Sequence, residues 1–133
     1  MMLGYHNHDF EFVPVDGRTG YDFFVEALDP SVVLEIDIYW AQTGGADPAA
    51  LIKSLGPRVR LLHVKDGPCA PSSQPDPMVA VGDGKVDVPA ALAANDAVEW
   101  HIVELDRFDG DMWDAVERSY SYLVGNGLSV GTK

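Results

Sequence analysis

Four short apolar runs in this 133-residue sequence each end in side chains that could bind a metal ion or carry a proton. The residues at these ends read YHNHD at 5–9, EID at 35–37, HVKD at 63–66 and VELD at 103–106. A carboxylate or imidazole beside an apolar run costs free energy unless it is neutralised or hydrogen-bonded. A divalent cation shared by the four run ends would neutralise them together. The pattern therefore favours a metal site built from several strand ends.

The residue types narrow the choice of ion. Asp37, His63 and Glu104 supply one imidazole and two carboxylates, and either His6 or His8 would complete the set. This mixture suits Mn²⁺, Zn²⁺, Co²⁺ or Fe²⁺ better than Ca²⁺ or Mg²⁺ held without water. We expect a divalent cation, with Mn²⁺, Zn²⁺, Co²⁺ and Mg²⁺ as candidates, and the choice between His6 and His8 stays open.

The apolar runs read as β-strands that alternate with helices. The first three runs are short and apolar throughout, which suits a parallel sheet covered on both faces. The clearest helix signal is Asp47 as a cap followed by Pro48 at the first helical position. Predicted strands cover 3–5, 32–36, 59–64 and 98–105, and predicted helices cover 21–28, 48–55, 88–94 and 112–124.

This alternation indicates an α/β fold of parallel β/α units. In such folds the carboxyl ends of the strands lie at one edge, where ligands bind. We therefore expect the four polar run ends to converge on one place. Glu35 lies on the same strand face as Asp37, and we expect it to form a salt bridge there. Asp66 and Asp106 are expected to cap turns.

Length, charge and cysteine content exclude several classes of protein. A chain of 133 residues is the size of one domain, which we place at 1–133. The formal net charge of −12 disfavours nucleic acid as a partner. No apolar run is long enough to span a bilayer, so we expect no membrane contact, and the single cysteine fits a reducing compartment. The expected location is the cytoplasm.

Six stretches of the sequence resemble the sugar phosphate isomerase/epimerase family, whose members are xylose-isomerase-like TIM barrels. The resemblance covers nearly the whole chain and implies the second half of the barrel, strands five to eight. It is carried by GYHNHDFEF at 4–12, EIDIYW at 35–40, GGADP at 44–48, LLHVKDG at 61–67, VGDGKVDV at 81–88 and EWHIVELD at 99–106.

The resemblance implies roles for individual residues. The family takes one metal ligand from each of four strand ends, and three of these correspond to Asp37, His63 and Glu104. Many relatives have a glutamate where this chain has His6, which departs from that pattern. The remaining implied contacts are with substrate, for which the candidates are His8, Glu11, Trp40 and Lys65.

The resemblance also implies a reaction. A sugar or sugar phosphate would be isomerised or epimerised by removal of a proton next to a carbonyl, through an enediolate. Glu104 is the expected base. Lys65, on the strand face of His63, is expected to hold a hydroxyl or to stabilise the enediolate oxygen.

Two other functions stay open. A polyol-ketone dehydratase of the inosose type has the same fold and begins with the same proton removal. A non-catalytic binding or assembly module would keep the sheet and use none of the chemistry. The family's DNA-repair endonuclease branch is disfavoured by the acidic charge.

The strands predicted for this sequence make up only half of a TIM barrel. A TIM barrel has eight strands in about 250 residues, whereas this sequence predicts four. An open sheet of four strands would expose two edges. We consider a fragment that lacks its N-terminal half, a homodimer of two half-barrels and an inactive open sandwich, and we favour the fragment.

Overall fold

The computed structural model describes residues 2–70 and 77–131. The strands of this part of the chain are β1 (Gly4–His6), β2 (Pro14–Val15), β3 (Arg18–Thr19), β4 (Val33–Asp37), β5 (Val59–Val64) and β6 (Trp100–Val103). The central feature is a four-stranded parallel sheet in the order β1-β4-β5-β6, while β2 and β3 form a separate antiparallel pair.

In the described residues, five α-helices connect and cover the strands. They are α1 (Gly20–Ala27), α2 (Ile38–Thr43), α3 (Pro48–Leu55), α4 (Val88–Leu92) and α5 (Met112–Gly125). Side-chain caps fix where each one begins. Thr19 and Asp22 form a reciprocal capping box at α1, and aspartates accept a backbone N–H at the starts of the other four: Asp37, Asp47, Asp87 and Asp111.

The two faces of the sheet have different surroundings. One face packs against the helices, and its side chains, Leu34, Ile36, Leu62 and Val64, have no exposed surface. Most side chains of the other face, among them Glu35, Leu61, His63 and Ile102, are half-buried, Trp100 on the edge strand β6 is 63% exposed, and Asp37 at the end of β4 is buried. The hydrophobic core therefore lies between the sheet and its helices, and the opposite face is open.

Register places the polar strand ends at one edge of this open face. Asp37 of β4 pairs with His63 of β5, and His6 of β1 pairs with Glu35 of β4. Partners in register point to the same side of a sheet, and residues two apart along a strand do so too. Asp37, His63, His6 and Glu35 are therefore on one face.

Most predicted elements are confirmed with small shifts in their ends. The strand predicted over 98–105 is shorter, because only Trp100–Val103 pairs with β5. The chain also contains α2, the β2–β3 pair and two 3₁₀ turns, Phe10–Phe12 and Gly56–Arg58, which the sequence analysis did not predict. Among the described residues no helix has the length and apolar character required to cross a bilayer.

Candidate metal centre

Three of the four predicted ligand strands bring their side chains into one cluster. His6, Asp37 and His63 each offer a ligand atom within 4.8 Å of the others. His6 Nε2 lies 3.2 Å from Asp37 Oδ2, and His63 Nδ1 lies 3.6 Å from the same oxygen. Glu104, just after β6, extends the cluster, because its Oε2 lies 2.8 Å from His63 Nδ1.

The Asp37 carboxylate is fixed at the centre of this cluster. Its Oδ1 accepts the backbone N–H of Trp40 at 2.9 Å, which leaves Oδ2 to face the two histidines. Asn7 clamps the Asp37 backbone, since Asn7 Oδ1 accepts the Asp37 N–H and Asn7 Nδ2 donates to the Asp37 carbonyl. Both residues have no exposed surface. The aspartate is therefore held by the residue that follows β1, by β4 and by the start of α2.

Opposing effects act on the ionisation of Asp37. Burial raises its pKa, but His6, His63 and Lys65 outweigh that effect and lower the pKa to about 2. The carboxylate is thus charged at neutral pH, the state that a metal ligand requires.

His63 lies between carboxylates on both sides of its ring. Its Nδ1 faces Glu104 and Asp37, and its Nε2 lies 3.3 Å from Glu35 Oε1. Burial lowers the pKa of His63, yet these three carboxylates raise it above its usual value. The predicted salt bridge of Glu35 is confirmed, with His63 as its partner.

Lys65 is a buried cation paired with three carboxylates. Its Nζ lies 3.1 Å from Asp37 Oδ2, 2.8 Å from Glu104 Oε2 and 2.8 Å from Asp106 Oδ2. Only 1% of its surface is exposed. Burial lowers its pKa, but the pairing with Asp37, Asp106 and Glu104 raises it overall. The ammonium therefore stays charged and neutralises part of the acidic cluster.

The residues present fit a divalent cation. His63 Nδ1 and Glu104 Oε2 are 2.8 Å apart and buried, and His63 Nδ1 has no hydrogen-bond partner of acceptable geometry. A buried imidazole nitrogen that faces two carboxylate oxygens, Asp37 Oδ2 and Glu104 Oε2, is an arrangement that a metal ion stabilises. The donor set of imidazole and carboxylate suits Mn²⁺, Zn²⁺ or Co²⁺.

The two candidate histidines, His6 and His8, lie in different surroundings. His6 belongs to the cluster around Asp37, whereas His8 is exposed and its ring lies 4.8 Å from the His6 ring, centroid to centroid. Trp40 borders the same edge, with its ring centroid 6.1 Å from that of His8 and 5.8 Å from Lys65 Nζ.

Glu11 lies apart from the contacts of the cluster. Its Oε1 accepts the Tyr5 hydroxyl at 2.6 Å, and its Oε2 accepts the His8 backbone N–H at 2.8 Å. Burial and the neighbouring Glu11 carboxylate raise the pKa of Tyr5 to about 12. Glu11 therefore shapes the loop that follows β1, and its role as a substrate contact stays a prediction.

Two residues of the site were missed or assigned otherwise from the sequence. Asn7 had no assigned role, although its position between His6 and His8 at a strand end was a usable signal. Asp106 was expected to cap a turn, but its carboxylate pairs with Lys65. Its spacing of two residues from Glu104 places both on one side of an extended chain, and this signal was also in the sequence.

Asp66 follows the turn-capping prediction closely. Its carboxylate accepts the backbone N–H groups of Gly67, Gly82, Gly84 and Val86, at 2.8–3.1 Å. The φ of 97° at Gly82 is one that residues with a side chain rarely adopt. Asp66 therefore holds the described part of the loop before α4 against the end of β5.

Comparison with known proteins identifies the fold. No protein-family model matches the chain, and neither does any curated protein. A solved sugar phosphate isomerase/epimerase from Parabacteroides distasonis ATCC 8503 is 28% identical, with a TM-score of 0.75 over 96% of this chain and 46% of its own. A Xylose Isomerase domain protein from Alicyclobacillus acidocaldarius is 19% identical, with a TM-score of 0.68 over 96% and 50%.

A D-tagatose 3-epimerase-like protein also matches, at 21% identity and a TM-score of 0.59, over 97% of this chain and 50% of its own. The two matches below 25% identity establish the fold alone. In each case this chain spans about half the length of the solved relative. The resemblance seen in the motifs is therefore confirmed: the chain is similar to sugar phosphate isomerase/epimerase and xylose-isomerase-like proteins, and it forms half of their TIM-barrel fold.

Proposed function

We propose that this chain carries the metal centre of a sugar or sugar-phosphate isomerase/epimerase. The observation that supports the proposal most strongly is the strand-end cluster, in which three ligand atoms lie within 4.8 Å and Glu104 lies 2.8 Å from His63 Nδ1. The similarity to a sugar phosphate isomerase/epimerase supports the substrate class. The proposed substrate is a small sugar with a carbonyl and a neighbouring hydroxyl.

Four residues would hold the cation: His6, Asp37, His63 and Glu104. When bound, such an ion would polarise a carbonyl and its neighbouring hydroxyl and so acidify the proton on the carbon that bears the hydroxyl. Asp37 meets the requirement for a charged, immobile ligand, because one of its oxygens is fixed by Trp40 and its backbone is fixed by Asn7.

Glu104 is the proposed base. Its side chain is 40% exposed, whereas Asp37 has no exposed surface, so a substrate on the open face can reach Glu104. Oε2 of Glu104 faces His63 and Lys65. The other oxygen of the carboxylate is therefore left to remove the proton from carbon and to return it to the neighbouring position.

Lys65 would act through charge rather than by proton transfer. It is buried among three carboxylates, and its raised pKa keeps the ammonium protonated. A fixed positive charge beside the reacting atoms stabilises negative charge that develops on a substrate oxygen. The same charge offsets the repulsion between Asp37, Glu104 and Asp106.

The proposed activity belongs to a completed barrel. The face of the sheet that bears the cluster is open, and the chain spans about half of its solved relatives. A second half-barrel, either another copy of this chain or a separate N-terminal half, would enclose the substrate. Light scattering after gel filtration distinguishes a dimer from a monomer that needs a separate partner.

Solvent exchange tests the proposed chemistry in isolation from full turnover. Ketoses and their phosphates would be incubated in D₂O with the protein and Mn²⁺ or Co²⁺, and deuterium incorporation next to the carbonyl would be followed by mass spectrometry. We expect metal-dependent incorporation that Glu104→Gln reduces at least about 100-fold. Glu99→Gln, which makes the same chemical change before β6, is the matched control. Incorporation that is equal in both variants contradicts the assigned base.

A further inference from the structure

His63 has a carboxylate at each of its two ring nitrogens, and the two sides of the ring are not equivalent. Nδ1 is buried without a hydrogen-bond partner and faces Glu104 Oε2 at 2.8 Å and Asp37 Oδ2 at 3.6 Å. Nε2 faces Glu35 Oε1 at 3.3 Å, outside that group of oxygens. One nitrogen therefore points into the proposed metal centre and the other points away from it.

We propose that Glu35 is a positioning residue that holds the His63 ring with its proton on Nε2, so that Nδ1 is the nitrogen that binds the metal. The inference rests on the proposed metal centre and goes beyond it, because it assigns the ligating atom and a residue outside the four ligands. A metal-bound imidazole is neutral and keeps a single proton. The Glu35 carboxylate faces Nε2 of His63 and stabilises a proton on that nitrogen.

The architecture of β4 supports this assignment. Glu35 and Asp37 are two residues apart on the same strand face, and Asp37 is in register with His63. The strand therefore presents one carboxylate to each nitrogen of a single ring. Asp37 is completely buried among polar partners, while 21% of the Glu35 side chain is exposed. The Asp37 carboxylate is therefore assigned to the metal, and the Glu35 carboxylate is assigned to Nε2 of the His63 ring.

The expected effect of Glu35 on the metal is large. Carboxylates that accept the second N–H of a ligating histidine fix the orientation of the ring and raise its basicity. Their removal typically weakens metal binding about 10- to 100-fold. We expect Glu35→Ala to fall in this range and Glu35→Gln to lose less, because the amide oxygen still accepts a hydrogen bond.

Two measurements on the full chain test the proposal. Zinc affinity would be measured by competition with a chromophoric chelator for the parent, Glu35→Ala, Glu35→Gln and the control Glu99→Gln. The zinc-loaded parent, labelled with ¹⁵N-histidine, would then be examined by NMR, with the His63 signals assigned from His63→Ala. We expect a metal-bound Nδ1 and a protonated Nε2, whose proton resonance shifts upfield in Glu35→Ala.

The outcomes separate this inference from the proposed function. A parent protein that binds no zinc overturns the metal centre and the inference with it. A parent that binds zinc, with Glu35→Ala within twofold of it, overturns the role of Glu35 alone. Zinc on Nε2 of His63 also overturns the inference while the metal centre stands. Circular dichroism confirms that each variant is folded before its affinity is compared.

Discussion

Two buried aspartates near the carboxyl ends of neighbouring strands, Asp66 and Asp37, have opposite surroundings. Asp66 follows β5, and both of its oxygens accept backbone N–H groups, four in all. Asp37 ends β4, and its Oδ2 faces two histidines and Lys65. Backbone donors satisfy the first carboxylate completely, whereas charged and titratable side chains surround the second.

This difference in surroundings distinguishes a structural carboxylate from a functional one in this fold. Asp66 is 1% exposed and its environment is complete without any other group. The cluster at Asp37 is incomplete, because the buried His63 Nδ1 has no hydrogen-bond partner. A bound cation would stabilise the groups around Asp37, whereas the carboxylate of Asp66 needs no cation. The predictions below test this contrast, from the largest effect to the smallest.

Removal of Asp66 should have the largest effect on folding. Asp66→Ala leaves four backbone N–H groups without their acceptor. An unsatisfied donor costs about 1–3 kcal/mol at the buried Gly67 and Val86, and a hydrogen bond to a charged group contributes about 1.5–3 kcal/mol at the exposed Gly82 and Gly84. We expect a loss of at least about 4 kcal/mol in the free energy of unfolding, measured by urea denaturation, and no recovery on adding a divalent metal.

The control for Asp66 lies in the same loop. Asp83→Ala removes an exposed ion pair with Arg118, which is worth at most about 1 kcal/mol. Asp66→Asn keeps one acceptor oxygen and should fall between the two. An Asp66→Ala protein as stable as Asp83→Ala would show that the backbone donors do not depend on this carboxylate.

Removal of the Lys65 charge should destabilise the protein in a way that metal can reverse. Lys65→Met leaves the fully buried Asp37 without its cationic partner, and breaking a buried pair costs about 3–5 kcal/mol. Urea denaturation in chelator should show this loss, and Mn²⁺ or Co²⁺ should recover part of it. A loss of stability that is identical with and without metal would show that Lys65, like Asp66, is a structural residue.

Metal should stabilise the parent protein through the cluster. A ligand at 100 times its dissociation constant adds about 2.7 kcal/mol to the free energy of unfolding. We therefore expect Zn²⁺ or Mn²⁺ to raise the Tm of the parent, measured by scanning calorimetry, and to leave that of Asp37→Asn unchanged. An equal rise in both proteins would mean that the ion binds elsewhere.

The smallest expected effect is that of replacing Glu11, a third carboxylate that can be compared with Asp66 and Asp37. Its two oxygens accept the Tyr5 hydroxyl and the His8 N–H, so it resembles Asp66 rather than Asp37. Glu11→Gln should leave metal affinity unchanged and lower the Tyr5 pKa from about 12 towards 10, since an amide no longer repels the phenolate. Ultraviolet titration of the phenol measures this shift.

The sign of the pH effect follows from the direction of the Tyr5 shift. Because the folded-state pKa lies above the unfolded value of 10, Tyr5 contributes stability that is complete below pH 10. This contribution is lost as the pH rises towards 12. In Glu11→Gln the loss should be smaller, and an unchanged alkaline stability would contradict the Tyr5–Glu11 contact.

Much of the fold could be predicted from local signals in the sequence. Asp47 and Pro48 marked the start of α3, and Asp111 marked the start of α5, because capping depends on residues close in sequence. Helix α2 was missed, since it begins immediately after β4 with Asp37 as its cap. Because the same residue ends the strand and caps the helix, no turn residues lie between the two elements to mark the boundary.

The candidate site was predicted in part. The four strand ends indicated Asp37, His63, Glu104 and either His6 or His8 as ligands, and parallel register brings such ends together. The pairing of Lys65 with Asp106 was missed, because the two residues meet across neighbouring strands and Asp106 was interpreted as a turn residue. The clamp by Asn7 likewise depends on the pairing of β1 with β4, which a single strand does not reveal.

Metal content tests the central claim most directly. The protein would be purified without chelator or an affinity tag, loaded with Mn²⁺, Zn²⁺ or Co²⁺, passed through a desalting column and examined by elemental analysis beside His63→Ala. The account predicts about one ion per chain in the parent and a clear loss of that ion in the variant. A folded parent that retains no ion, or a variant that retains as much as the parent, would contradict it.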